Sequence, residues 1–130
     1  MVVAPIREGF SLVKMGTPEE AARRFLSSIA PEGSDKTATL LAAYARKDPR
    51  DEGEMYYTME FIVESTAPRR PFRRHNVAVY GARNNLIYTF NAQAGEERYT
   101  EEVAAQYRRA ASSFRMTNSG ASALGYPSRL

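Results

Sequence analysis

Two flanking stretches of this chain follow a three-to-four-residue hydrophobic rhythm, and the stretch between them alternates. After Gly16, Thr17 can cap a helix, Pro18 suits its first position, and Glu20 completes a capping box. Ala21, Ala22, Phe25, Leu26 and Ile29 then share one stripe, with Arg23, Arg24 and Ser28 facing away, until Pro31 and Gly33 stop the helix. Thr37 to Arg46 reads as a strand whose faces are Ala38, Leu40, Ala42, Tyr44 and Thr39, Leu41, Ala43, Ala45. Lys47 to Gly53 is a turn. In the strand from Met55 to Glu64, Met55, Tyr57, Met59, Phe61 and Val63 oppose Tyr56, Thr58, Glu60, Ile62 and Glu64. A loop, Ser65 to Pro71, leads to strands over His75–Ala82 and Leu86–Ala92, joined at Asn84-Asn85, where asparagine tolerates positive φ. Beyond Thr100, Val103, Tyr107, Ala110, Ala111 and Phe114 form the stripe of a second helix. Its first turn holds Glu101 and Glu102, and Arg108, Arg109 and Arg115 follow where a helix dipole favours cations.

Val2-Val3-Ala4-Pro5-Ile6 is short, and Pro5 cannot donate to a ladder, so it reads as an edge strand. No strand–helix–strand alternation appears, which makes the sheet antiparallel and the class α+β. Strands apolar on both faces imply a sheet sandwiched between helices, a three-layer α/β/α arrangement. Residues 1–117 would form this domain, with 118–130, rich in Ser, Gly and Ala, as a flexible tail.

The chain has 130 residues, 43% hydrophobic and 25% charged, enough for a packed core without staples. It has no Cys and no Trp, which removes disulfide-framed mini-proteins and Cys-ligated zinc or iron–sulfur centres. No apolar run approaches the ~20 residues that span a bilayer, and no signal-peptide pattern opens the chain. Eighteen Lys and Arg against 15 Asp and Glu leave a net charge of +3. Only Lys14, Lys36 and Lys47 are lysines, so the positive charge is mostly guanidinium, suited to bidentate contacts with carboxylates or phosphates.

Enzyme signatures are absent: no phosphate loop, no dinucleotide fingerprint, no H-E-x-x-H and no G-x-S-x-G elbow. His75 is the one histidine, a weak metal candidate that would need carboxylates from neighbouring loops and more simply serves as a hydrogen-bonded strand residue. Glu96-Glu97 and Glu101-Glu102 cluster, but helix capping accounts for the second pair. The tyrosines Tyr56, Tyr57, Tyr80, Tyr88 and Tyr107 fit core and sheet faces. The candidate docking feature is Arg69-Arg70-Pro71-Phe72-Arg73-Arg74, four arginines in six residues around an aromatic. It reads either as a docking loop for an acidic protein surface or as a solvated loop whose arginines pair with nearby Glu; the low net charge and lack of reinforcing motifs argue against nucleic acid.

Four segments, Ala30-Pro31-Glu32-Gly33-Ser34, Tyr56 to Phe61, Arg74 to Val79 and Leu86 to Ala94, resemble in order and spacing the PsbP family of thylakoid lumen proteins. Ala111-Ser112-Ser113-Phe114 extends the resemblance across roughly residues 2 to 117. It implies an antiparallel sheet between helices, an architecture also found in a nuclear-transport-type binding module. It implies a non-catalytic extrinsic subunit or assembly factor, without cofactor, peripheral to the chloroplast thylakoid membrane on its lumenal side. The expected partner is photosystem II; the alternatives are photosystem I, the chloroplast NDH complex, or a role as a small metal- or ligand-binding domain. The founding subunit docks through N-terminal and basic surface residues and helps the oxygen-evolving centre retain calcium and chloride. This chain opens almost directly into its first strand, so that arm is expected to be missing, which turns the expectation from the oxygen-evolving role toward a PsbP-like or PsbP-domain protein. The absence of a lumen-targeting presequence suggests a mature or truncated form. Relatives that bind zinc or manganese use a surface His with carboxylates, for which only His75 is available here, and a redox-active relative carries Cys, which this chain lacks.

Overall fold

The computed structural model describes residues 2–5, 11–49 and 54–116. The tail expected at 118–130 and part of the 47–53 turn lie outside them. Strands β1 (Val2–Pro5), β2 (Lys36–Asp48), β3 (Glu54–Ser65), β4 (Phe72–Arg83) and β5 (Leu86–Gly95) form one antiparallel sheet in the order β1-β5-β4-β3-β2. Helices α1 (Pro18–Ile29) and α2 (Glu101–Ser113) complete an α+β fold, with single 3-10 turns at Leu12–Met15 and Glu96–Arg98.

The local signals act as their chemistry requires. Thr17 Oγ1 accepts from the Glu20 amide at 3.1 Å and the Glu20 carboxylate accepts from the Thr17 amide at 2.9 Å. The hydrogen bonds from Thr17 also hold the Glu20 carboxyl below its ordinary pKa. Asn84 and Asn85 adopt φ of 53° and 62° and close a two-residue hairpin between β4 and β5. β1 takes the sheet edge, where Pro5 is tolerated.

Successive residues of β3 and β4 feed two separate apolar clusters. Tyr57, Met59, Phe61, Ala78 and Tyr80 pack with Ala21, Ala22 and Leu26 of α1 and with Leu12. Tyr56, Val77, Val79 and Tyr88 pack with Ala111 of α2 and with Met116. Tyr56, Tyr57, Tyr80 and Tyr88 are at most 5% exposed, so they are core, not a stacking platform.

Three sequence expectations need correction. The strict alternation of β2 breaks where Leu40 pairs Phe61 and Ala42 pairs Glu60, leaving Leu41 as a bulge that is 54% exposed. Beyond the bulge the faces exchange, so Ala43 joins Ala38 and Leu40 on the α1 cluster. Phe25, placed on the buried stripe of α1, is 41% exposed while its ring meets Phe61 edge-on at 6.0 Å. Finally, α2 ends at Ser113 with no basic residue in its last turn. The cation at that end comes from β2: Arg46 donates to the Ala111 and Phe114 carbonyls at 3.1 and 2.6 Å and lies over the Tyr56 ring.

Candidate docking surface

The arginine-rich segment does not remain a loop throughout. β4 starts at Phe72, so Arg69 and Arg70 stand in the connection at 66–71 while Arg73, Arg74 and His75 are strand residues. Strand geometry sends alternate side chains to opposite faces, which separates Arg73 from Arg74. Arg73 is held by Glu64 on the paired strand at 2.8 Å and by Glu96 at 2.6 Å. These two carboxylates raise its already high pKa further, Glu96 contributing first. Arg74 turns the other way and lies over the Phe72 ring, its guanidinium carbon 4.2 Å from the centroid.

Register brings more basic charge to the same end of the sheet. Arg74 pairs with Gly95 at the close of β5, and Arg98 follows in the turn at Glu96–Arg98. Arg69, Arg70, Arg74 and Arg98 are all exposed, and none has a carboxylate partner among the described residues. Arg74 and Arg98 line one open depression of about 480 Å³ together with Gln93, Gly95, Val103 and Tyr107. Arg98 is the member of this group that sequence reasoning missed. Only the register of β4 against β5 links it to the 69–74 segment, and a linear reading carries no such signal.

His75 sits at the inner margin of this region. Its ring stacks on Tyr99 at 4.4 Å, Nε2 lies 3.8 Å from a Glu96 oxygen, and Nδ1 is buried without a hydrogen-bond partner among the described residues. One carboxylate at that distance is a poor start for a metal centre. No group of three or more His, Cys, Asp or Glu that could hold a metal ion occurs among the described residues.

A second feature escaped the sequence reading. Glu60, a carboxylate inside the apolar run of β3, is 7% exposed and receives a forked contact from Arg108 of α2 at 2.9–3.1 Å. Tyr44 donates its hydroxyl to the same group at 3.1 Å. Burial, then Glu60, pushes the Tyr44 phenol above its ordinary pKa, and Glu60 raises that of Arg108. The signal was a lone charge among Met59, Phe61, Ile62 and Val63, which had been assigned simply to the second strand face. The arrangement anchors α2 to the sheet behind the basic end.

The model of the PsbP family matches residues 1–116. The chain belongs to the PsbP family. It is 37% identical over 103 residues to PsbP domain-containing protein 7, chloroplastic, of Arabidopsis thaliana, an alignment covering 78% of this chain and 35% of that protein. It is 32% identical over 118 residues to CyanoP of Thermosynechococcus vestitus, covering 88% and 61% respectively. PsbP domain-containing protein 1, chloroplastic, of Arabidopsis thaliana is 29% identical over 125 residues, covering 82% and 42%. The chain thus spans less than two thirds of the length of each of these relatives. No helix among the described residues is long and apolar enough to cross a membrane.

Proposed function

We propose that this PsbP-family chain is a non-catalytic accessory protein that docks, peripherally, on the lumenal face of a photosynthetic membrane complex. The complex is photosystem II, and the role is that of an extrinsic subunit or of an assembly and stability factor. The observation that carries the reading is the concentration of guanidinium groups at one end of the sheet. Arg69, Arg70, Arg74 and Arg98 are exposed and free of carboxylates among the described residues, with Arg73 fixed between Glu64 and Glu96 beside them. Guanidinium groups without carboxylate partners among the described residues can engage a partner's carboxylates bidentately. Family membership and the likeness to chloroplast and cyanobacterial PsbP-type proteins support the setting: a thylakoid lumen and a photosynthetic partner. The sandwiched sheet, with α1 over one face and α2 over the other, belongs to the same reading, as does a domain ending near residue 117.

Affinity purification of the tagged chain from solubilised photosynthetic membranes tests this reading. We expect photosystem II subunits to travel with it. Recovery of photosystem I or NDH subunits instead would move the chain to the alternative complexes, and recovery of no photosynthetic subunit would overturn the reading.

A further inference from the structure

The α1 face of the sheet carries a second cleft, which shares Arg74 with the docking surface. It is about 260 Å³ and lies between the C-terminal half of α1 and the strand ends. Its apolar walls are Phe25, Ile29, Phe61, Val63 and Phe72, and Lys36 and Arg74 add cationic groups to its lining. Two of these residues are hard to explain by packing alone. Phe25 belongs to the apolar stripe of α1 yet remains 41% exposed, contributing a ring wall to open space. Arg74 is stacked on Phe72, which covers one guanidinium face, and it has no carboxylate partner among the described residues.

The polar lining has a definite arrangement. Asn76 is 4% exposed; its amide donates to the Arg74 carbonyl at 3.2 Å, and its oxygen accepts from the Asn91 amide at 3.3 Å. The Asn76 side chain is therefore satisfied and fixed in the cleft wall. The Asn91 side-chain oxygen and the Gln93 amide keep capacity for a ligand on the same lining. Apolar walls, a few convergent amides and two cationic groups, Lys36 and Arg74, are the composition of a small-ligand site.

We propose that this cleft binds a small organic acid with a single-ring or short aliphatic tail. The tail lies against Phe25, Phe61 and Val63, the carboxylate meets the Arg74 guanidinium edge, and Asn91 and Gln93 orient the head group. Two cationic groups beside an apolar cleft favour an anionic head group, and the modest volume of about 260 Å³ excludes a bulky tail.

The test uses the isotopically labelled chain and three probes: 4-phenylbutyrate, the uncharged 4-phenylbutan-1-ol, and butyrate. Phenylbutyrate should shift the side-chain amide signals of Asn76, Asn91 and Gln93 saturably, with Kd of about 1 mM, as expected for so few atoms. The alcohol and butyrate should each bind roughly tenfold more weakly, since each lacks one half of the recognition. Arg74→Ala should weaken phenylbutyrate roughly tenfold and narrow its preference over the alcohol, Phe25→Ala should weaken it too, and Arg109→Ala on the exposed face of α2 should change nothing. Unchanged dispersion of the remaining signals certifies that the variants fold. Absence of saturable shifts up to about 20 mM would overturn the proposal. So would equal affinity for acid and alcohol, or an Arg74→Ala variant that binds like the parent. The assay contains no membrane complex, so its failure leaves the docking reading standing, and failure of docking leaves this one.

Discussion

Tyr80 shows how a buried core residue makes this fold sensitive to alkaline pH. It is 5% exposed beneath α1, its ring edge-on to Tyr57 at 5.9 Å. Burial, with Tyr57 adding to it, pushes the Tyr80 phenol from 10.0 up to about 12. The folded state therefore keeps a proton that the unfolded chain releases near pH 10. Stability from this group is complete below that pH and is lost as pH rises toward 12, at up to about 1.4 kcal/mol per pH unit. Urea midpoints should fall between about pH 9 and 11.5, and Tyr80→Phe should flatten that fall. Residual slope is expected because burial also raises Tyr44 and Tyr99. Identical slopes in variant and parent would contradict the assignment. Burial of this tyrosine was legible from its place among apolar neighbours. The Glu60–Arg108 contact was not, because nothing local to either residue names a partner 48 positions away.

At the scale of elements, the sequence was most informative wherever a local hydrogen bond decides the outcome. The Thr17–Glu20 box and the Asn84-Asn85 turn both act within a few residues, so their chemistry is written in the chain. Boundaries and faces set by tertiary pairing were harder to read. The Leu41 bulge exchanges the faces of β2 without a Gly or Pro to announce it, and pairing of Arg73 with Glu64 draws the start of β4 back into what looked like a loop. The segment after α2 illustrates the same limit: Met116 is 4% exposed, and its amide donates to the Tyr56 hydroxyl oxygen at 2.8 Å. That seam depends on Gly81. A Cβ at this position would lie 2.8 Å from Met116 Cε and 3.2 Å from the Tyr56 ring. Gly81→Ala should therefore cost about 1–2 kcal/mol in denaturant unfolding. The cost should largely vanish when introduced into Met116→Ala, a coupling that a double-mutant cycle reads directly. Additive losses would show that the seam is not what Gly81 protects.

For the whole molecule, a net charge of +3 understates how unevenly the charge is deployed. Several arginines are consumed internally: Arg46 caps α2, Arg108 holds Glu60, and Arg73 bridges two carboxylates. Those without carboxylate partners among the described residues include Arg69, Arg70, Arg74 and Arg98, gathered where β4 begins and β5 ends. The sequence displayed the first three of these as a run, but their separation from Arg73 and their union with Arg98 are products of strand alternation and register. A docking surface of this kind is exposed to salt screening, with a Debye length of about 8 Å at physiological ionic strength. The direct measurement is binding of the purified chain to isolated photosystem II across a salt series, beside a variant with Arg69, Arg70, Arg73 and Arg74 all replaced by alanine. The account predicts co-migration with the complex on native gels that weakens as salt rises and is lost in the variant. A chain that stays free at low salt, or a variant that co-migrates as well as the parent, would contradict it.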